Sequence, residues 1–291
     1  MMAALLNVDN LQVAFRGPRG EVPAVRGVSF SLGREKLGIV GESGSGKSTI
    51  GRAILRLLPD SARVTADRLT FEGQDLLGLS PRALRNLRGR HITMVMQDPR
   101  YSLNPVLPVG DQIAETLRVH GAGGRGRELY RKVLDILEAV QIRDPERVYR
   151  AYPHELSGGM GQRAMIAMML IADPRLLIAD EPTSALDVTV RRQILSILDD
   201  LVSRRGMGLI LISHDLNLVA GFCDRVLILY AGRVVEEIEA RNLHACRHPY
   251  SRGLLASLPR LEQPVGELAT LQRDPAWLDG PVYRFGEEVS R

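Results

Sequence analysis

Short stretches of alternating apolar and polar residues open the chain and predict strands. Residues 5–15 and 22–32 flank the turn Gly17-Pro18-Arg19-Gly20, and together they predict an antiparallel β element. The apolar stretch 37–40 predicts a buried strand, and the periodicity of residues 50–58 predicts a helix after it. The beginning of the chain therefore predicts three strands followed by a helix.

In the middle of the chain, the apolar residues recur at the spacing of helices. Residues 109–119 and 128–140 predict two amphipathic helices on either side of a loose linker at 121–126, and they resemble a helical insert. The other elements predicted here are a short helix at 82–88, a buried strand at 91–96 and a helix at 160–172 that ends before Asp173-Pro174.

Strands and helices alternate in the last part of the chain. The predicted elements are, in order, strand 176–179, helix 188–204, strand 209–212, helix 216–222, and strands 226–230 and 233–236 around Ala231-Gly232. Such alternation predicts an α/β fold with a mostly parallel sheet. Residues 259–291 lose this periodicity and carry several prolines, so they predict a tail that is poorly structured or appended.

Composition narrows the class of protein only modestly. With 291 residues, 45% of them hydrophobic and 25% charged, the chain is an ordinary globular protein of one large or two small domains. Its net charge of +4 comes almost wholly from arginine, since Lys36, Lys47 and Lys132 are its only lysines. Such mild basicity is compatible with a membrane surface or nucleic acid but indicates neither, and a solvated Arg-rich surface is the favoured interpretation.

Three features of the sequence bear on its compartment. Cys223 and Cys246 form no C-x-x-C pair, so we expect free thiols of a cytosolic protein rather than a disulfide framework or a zinc site. The first residues lack the basic region of a signal peptide. The longest apolar stretch, 164–172, is far shorter than the roughly 20 residues that span a bilayer, so no membrane span is expected.

The segment Gly41-Glu42-Ser43-Gly44-Ser45-Gly46-Lys47-Ser48 matches the phosphate-binding P-loop, G-x-x-x-x-G-K-[ST]. It lies between a predicted strand and a predicted helix, which is the context the motif requires. The glycines let backbone N–H groups turn toward one anion at the positive end of the helix. Lys47 is expected on the β- and γ-phosphates and Ser48 on Mg²⁺, and Thr49 completes the predicted ATP-binding set.

An apolar strand ending in two acids follows later in the chain, the pattern called Walker B. In Leu176-Leu177-Ile178-Ala179-Asp180-Glu181, Asp180 is expected to contact Mg²⁺ through water. Glu181, one residue on, could polarise the attacking water. Alone the pattern is weak evidence for a Walker B strand, and it becomes stronger because a P-loop precedes it.

The segment Leu156-Ser157-Gly158-Gly159-Met160 resembles the signature of ATP-binding-cassette (ABC) ATPases, in which Gln usually stands in place of Met160. We expect Ser157 to cap the next helix and the two glycines to expose N–H groups at its positive end. This is a second anion site, free to bind the γ-phosphate held by another subunit. The resemblance therefore implies a head-to-tail dimer with ATP between the subunits, to which Asp187 of the D-loop segment 184–187 also belongs.

The remaining ABC motifs appear in order. Gln97 matches the Q-loop glutamine that meets Mg²⁺ and the attacking water, and His214 matches the switch histidine. Phe15 either stacks on adenine or belongs to the sheet core. The resemblance implies a P-loop NTPase cassette over residues 1–258, with a RecA-like, mostly parallel sheet core, an N-terminal antiparallel β element and a helical subdomain at about 106–172.

Three segments resemble the ABC branch of oligopeptide, dipeptide and nickel importers. They are the Q-loop 97–105, the approach Tyr152-Pro153-His154-Glu155-Leu156, and His248-Pro249-Tyr250-Ser251-Arg252-Gly253-Leu254-Leu255. The resemblance implies a peripheral ATPase at the cytoplasmic face of the inner membrane that hydrolyses ATP with Mg²⁺ to drive peptide import. Glu181 would act as the general base, and His214 would stabilise the γ-phosphate.

The same resemblance implies the partners. They are a second ABC ATPase, which is a copy or a paralogue, two membrane permeases that dock near 97–105, and an extracytoplasmic substrate-binding protein; nucleic acid is not expected. The 97–105 segment could also be an ordinary exposed loop. A nickel or metal-chelate importer stays open as an alternative.

A soluble ABC ATPase of cluster assembly or nucleic-acid transactions is the weaker alternative. Only 110 positions (157 − 47) separate Lys47 from Ser157, which leaves no room for the long coiled coil of DNA-repair members. A cluster-assembly ATPase would not be expected to carry the importer-type Q-loop.

Overall fold

A computed structural model describes residues 4–18, 20–96, 102–120, 124, 126–184, 186–257 and 274–284. Contacts divide the chain into two compact units. The first unit comprises residues 1–77 and 211–291, and the second unit comprises residues 78–210. The predicted bounds 1–258, 106–172 and 259–291 stay predictions.

The structure contains eleven strands and nine α-helices within the described residues. The strands are β1 (Leu6–Gly17), β2 (Gly20–Leu32), β3 (Lys36–Val40), β4 (Ala62–Thr65), β5 (Arg68–Phe71), β6 (Gln74–Asp75), β7 (Ile92–Val95), β8 (Leu176–Asp180), β9 (Gly208–Ser213), β10 (Arg225–Tyr230) and β11 (Arg233–Glu239). The helices are α1 (Lys47–Ile54), α2 (Pro81–Leu87), α3 (Val109–Val119), α4 (Arg127–Ala139), α5 (Pro145–Arg150), α6 (Gly158–Leu170), α7 (Val188–Arg205), α8 (Leu216–Phe222) and α9 (Pro249–Ala256).

The first unit contains an antiparallel sheet in the order β2-β1-β5-β6, with β4 also paired to β1. Its inward side chains alternate along the strands, as Val8, Leu11 and Val13 show in β1. The same unit holds β10 between β3 and β11, parallel to β3 and antiparallel to β11. Strand β3 is buried from Leu37 to Val40, and it leads directly into the P-loop.

The second unit pairs β7 with β8 in parallel, and both strands are buried along their whole length. Helices α3, α4, α5 and α6 pack against one another. In α4 the buried residues Leu129, Val133, Ile136 and Leu137 share one face at helical spacing, which is why this sequence forms an amphipathic helix. Strand β9 spans the boundary between the two units.

The predicted strands and helices are confirmed within a few residues at each end, and α3 and α8 have the predicted bounds. The sequence prediction missed five elements: β4, β5, β6, α5 and α9.

Both thiols are free and buried, and burial raises the pKa of Cys223 to about 12 and of Cys246 to about 11. None of the helices in the described ranges is both long enough and apolar enough to span a membrane.

We expect Gly38→Ala to destabilise the protein because helix α8 packs closely on this position of β3. A methyl group at Gly38 would lie 2.2 Å from Val219 Cγ1 and 3.3 Å from Cys223 Sγ. Overpacking of this kind costs about 1–3 kcal/mol of unfolding free energy. At Gly33 an added methyl group would meet nothing within 4 Å, so Gly33→Ala is the matched control. Urea unfolding compares the variants, and equal midpoints would contradict the close packing.

Candidate nucleotide site

The P-loop of the first unit joins β3 to α1. Helix α1 begins at Lys47, and its N-cap Gly46 has φ +99°, in the left-handed region that glycine tolerates best. Gly44 has φ +80°. The loop therefore turns back on itself at the amino end of α1, where backbone N–H groups attract anions.

Neighbouring backbone lies so close to the P-loop that side chains are excluded at two positions. An added Cβ would lie 2.3 Å from the Leu229 carbonyl oxygen at Gly41, and 2.5 Å from the Ala24 carbonyl oxygen at Gly46. The Gly232 N–H also donates a hydrogen bond to the carbonyl of Ser45 (2.9 Å). The glycines thus permit both the left-handed backbone of the loop and its close packing against neighbouring backbone.

Lys47 is buried, and its ammonium group is held by the loop that it follows. Nζ donates to the carbonyl oxygens of Gly41 (2.8 Å) and Glu42 (2.7 Å). Ser48 and Thr49 are half-buried in the first turn of α1. The loop thereby presents one positive charge together with the helix N-terminus, an arrangement suited to phosphate.

Two further predicted residues lie in the first unit. His214 is exposed and directly follows β9, and the next residue, Asp215, caps α8 by accepting a hydrogen bond from the Leu218 N–H (3.0 Å). Phe15 is half-buried in β1, opposite Val22 of β2. Its adenine-stacking role stays a prediction.

In the second unit, Asp180 and Glu181 come where β8 ends. Asp180 is buried, although the strand around it is apolar. Glu181 has φ +48°, which is uncommon for a residue with a side chain and turns the backbone out of the strand. The Ser184 hydroxyl donates to the Glu181 carbonyl (3.3 Å), so the turn is closed locally. Strained backbone of this kind is typical of functional positions.

The predicted helix cap in the signature segment is confirmed. Ser157 is the N-cap of α6, and its Oγ accepts a hydrogen bond from the Met160 N–H (3.4 Å). Gly158 and Gly159 form the first turn; a Cβ at Gly159 would lie 2.9 Å from Val190 Cγ1. Met160 lines an adjacent cavity of about 370 Å³.

Helix α6 is tied to its surroundings by side chains that the sequence analysis did not single out for this role. The buried Gln162 amide donates to the Pro182 carbonyl, one residue after Glu181. Arg163 donates to the Gln141 carbonyl (2.7 Å) and to Gln193 Oε1 (2.7 Å). The only sequence signal for these two side chains is that they closely follow the signature segment.

Asp187 caps helix α7. Its Oδ1 accepts hydrogen bonds from the Thr189 and Val190 N–H groups. Within the second unit, Gln162 therefore connects the signature helix to the Walker B turn, and Asp187 begins the helix that follows. The Q-loop residue Gln97 and Ala185 of the D-loop segment lie outside the described residues.

Comparison with known families identifies the chain. The family model described as "ABC transporter" matches residues 25–184, which contain the P-loop, the signature and the Walker B strand. The chain belongs to the ABC transporter family. It is an ABC ATPase, as predicted, and this membership supports ATP binding.

Curated relatives are similar along most of the chain. A probable peptide ABC transporter ATP-binding protein of Sinorhizobium fredii is 50% identical over 88% of this chain and 77% of its own length. The oligopeptide transport protein OppD of Salmonella typhimurium is 46% identical over 93% of this chain and 81% of its own length. The dipeptide transport ATP-binding protein DppD of Escherichia coli is 47% identical over 92% of this chain and 82% of its own length.

Solved structures agree with the fold. The dimeric structure of the bacterial ABC transporter cassette MJ0796 is similar, with a TM-score of 0.72, 28% identity, and coverage of 81% of this chain and 99% of that chain. A post-hydrolysis structure of MJ0796, bound to ADP and Pi, has a TM-score of 0.73 and 27% identity, with the same coverage. The predicted fold class, an ABC cassette, is confirmed.

Proposed function

We propose that this ABC ATPase energises the import of peptides across the cytoplasmic membrane. The observation that carries the proposal is the similarity to peptide transport ATP-binding proteins, which extends at 46–50% identity over 88–93% of the chain. Such a match reaches well past the family model, which ends at residue 184. The matched part of the chain also contains His248-Pro249-Tyr250, which resembles an element of oligopeptide and dipeptide transporter ATPases.

Each catalytic role is assigned to a particular side chain. Lys47 and the P-loop N–H groups bind the phosphates of ATP, Glu181 removes a proton from the attacking water, and His214 stabilises charge that develops on the γ-phosphate. Gln97 orients the water. The Ser157–Met160 segment and Asp187 act on ATP held by a partner ATPase.

Hard oxygen ligands suit Mg²⁺, which is commonly bound by one or two carboxylates together with substrate phosphates. The donor set here, the Ser48 hydroxyl, the Gln97 amide oxygen and the Asp180 carboxylate, fits that preference. Asp180 is a buried acid at the end of a buried apolar strand, and a nearby cation would offset the cost of its charge. Bound Mg²⁺ would neutralise the phosphate charge during hydrolysis.

The partners we propose are a second ABC ATPase in a head-to-tail dimer, two membrane permeases and an extracytoplasmic substrate-binding protein. The chain would lie at the cytoplasmic face of the membrane, held there by the permeases. A groove in the second unit supports the permease contact. It has a volume of about 390 Å³ and is bordered by the loop after Ser102, by α3 and by Met168 of α6.

The groove combines apolar exposure with a fixed shape. Among its lining residues, Val119 is 70% exposed and Leu107 is 40% exposed, and Val106, next to Leu107 in the chain, is 73% exposed. The buried Gln112 amide accepts a hydrogen bond from the Asn104 N–H (2.8 Å) and donates to the carbonyls of Asn104 and Leu107, so the loop is held to α3. We propose that a short amphipathic helix of a permease docks here.

Affinity purification of the tagged chain from gently solubilised membranes of its own cells tests the proposal. We expect two permeases and an ABC ATPase partner, identified by mass spectrometry, together with peptide-stimulated ATP hydrolysis when the binding protein is added. Leu107→Glu should lose the permeases, whereas Leu57→Glu, on a leucine that is 47% exposed elsewhere, should retain them. Stimulation by metal chelates instead of peptides, or recovery with soluble assembly factors only, would contradict the peptide importer.

A further inference from the structure

The His-Pro-Tyr element places a buried tyrosine against the P-loop. Tyr250, in the first turn of α9, has no exposed surface, and its hydroxyl accepts a hydrogen bond from the Glu42 N–H (3.1 Å). The two residues are 208 positions apart in the chain. We propose that Tyr250 is a positioning residue for the P-loop and that residues 274–284 hold it in place, so that this segment sets ATP affinity.

The contact matters because Glu42 is bonded on both sides of its backbone. Its N–H is bound by Tyr250, while its carbonyl accepts a hydrogen bond from Lys47 Nζ (2.7 Å). Since Glu42 follows Gly41, where glycine is required by close backbone, the Tyr250 hydroxyl fixes the second residue of the loop. It thereby orients the carbonyl that holds the lysine ammonium.

A buried polar network fixes the start of α9. Glu236 of β11 is buried, and its carboxylate accepts hydrogen bonds from the N–H groups of Arg247 (2.6 Å) and His248 (3.1 Å). His248 Nδ1 in turn accepts from the Tyr250 N–H (3.1 Å). Burial lowers the pKa of His248, which favours the neutral ring that this acceptor role needs. The helix therefore begins in one defined orientation.

Residues 274–284 cover this tyrosine. The Trp277 ring lies 5.9 Å from the Tyr250 ring and 5.5 Å from the Tyr230 ring, measured between centroids. Tyr283 pairs beside β11 in a parallel bridge, since its N–H donates to the Val235 carbonyl (3.1 Å) and its own carbonyl accepts from the Glu237 N–H (2.8 Å). Residues 274–284 thus form an outer layer over the ring whose hydroxyl reaches the P-loop.

The role of Tyr250 predicts a separation of ATP affinity from turnover. Tyr250→Phe keeps the ring but leaves the Glu42 N–H without this acceptor. Part of the free energy of ATP binding is then used to order the loop, so ATP binds more weakly. Because one net hydrogen bond is lost, we expect the Kd and KM for ATP to rise about three- to tenfold, with kcat changed by less than about twofold. Calorimetric titration of the full chain gives Kd, and phosphate release by the purified membrane complex gives KM and kcat.

Tyr230→Phe is the matched control. Tyr230 belongs to the same aromatic cluster and is nearly buried, and within the described residues its hydroxyl makes no hydrogen bond to the P-loop. We expect its ATP affinity to equal that of the unaltered chain. A lower unfolding temperature of Tyr250→Phe with an unchanged Kd would show that the tyrosine only packs, and would overturn the proposal.

Trp277→Ala tests whether the covering segment acts through Tyr250. We expect it to raise the Kd for ATP in the same direction, and to add no further increase when Tyr250 is already Phe. Equal increases in both backgrounds would contradict the route through the hydroxyl.

The inference rests on the proposed ATPase function, and the two fail in different ways. If the unaltered chain does not bind ATP, or Lys47→Ala binds it equally well, both are overturned. If Lys47→Ala loses ATP while Tyr250→Phe does not change affinity, only the positioning role is overturned.

Discussion

Glu181→Gln is expected to stop ATP turnover while leaving ATP binding intact. The residue directly follows β8 in a strained turn, and its carboxylate is the general base of the proposed mechanism. An amide is nearly the same size but cannot accept the proton, and loss of a general base commonly lowers the rate by about 10²–10⁴-fold. Phosphate release at saturating ATP measures turnover, and calorimetric titration measures binding.

A matched control separates loss of this base from loss of any carboxylate. Glu138 is exposed on α4, so Glu138→Gln should hydrolyse ATP at the rate of the unaltered protein. We also expect Glu181→Gln to accumulate as a dimer in the presence of ATP, because the nucleotide would not be consumed. Full turnover by Glu181→Gln in the assembled complex would remove the residue from this role.

Lys47→Ala is expected to abolish most of the affinity for ATP. The buried ammonium group is the only lysine charge in the P-loop, and it is already held at the loop by the Gly41 and Glu42 carbonyls. Hydrogen bonds to charged groups contribute about 1.5–3 kcal/mol each, so even one lost contact lowers affinity about tenfold or more. The rise in unfolding temperature on adding ATP should therefore largely disappear.

Lys132→Ala is the control for removing a lysine. Lys132 pairs with Glu128 on the exposed surface of α4, at 2.9 Å, and such pairs contribute little to stability. Its ATP-dependent rise in unfolding temperature should equal that of the unaltered chain. An equal rise in Lys47→Ala would show that ATP is held without the P-loop lysine.

Elements with a strong periodic pattern could be predicted from the sequence, and those without one could not. The apolar run 37–40 and the amphipathic stretch 109–119 correspond to β3 and α3. By contrast, β4 and β6 are short and largely exposed, and α5 has only six residues. Their positions depend on a neighbouring strand or helix, as when β4 pairs with β1, rather than on their own periodicity.

Helix α9 was missed for a different reason. His248-Pro249-Tyr250 resembles a marker of a branch of the family, but the same residues also begin a helix, because the proline is a favourable first helical residue and His248 caps the helix. Nothing in the local sequence shows that Tyr250 is buried. Its place depends on Glu236, fourteen positions away (250 − 236), and on the ring of Trp277.

The chemistry proposed for this protein could be predicted from short stretches of its sequence. The P-loop, the Walker B acids and the signature are local strings in which a few residue types must follow one another, because a phosphate group is bound by consecutive backbone N–H groups and adjacent side chains. These strings were enough to predict the ABC family, and they name Lys47, Asp180, Glu181 and Ser157.

The contacts that support these stretches became visible in the folded chain. The Tyr250 hydroxyl accepts a hydrogen bond from the Glu42 N–H, Ala24 approaches Gly46, and Gln162 joins helix α6 to the Walker B turn. Each contact joins residues from separate parts of the chain, over distances of 20 to 208 positions. Such contacts depend on how elements pack, and packing leaves no short string in the sequence from which it could be predicted.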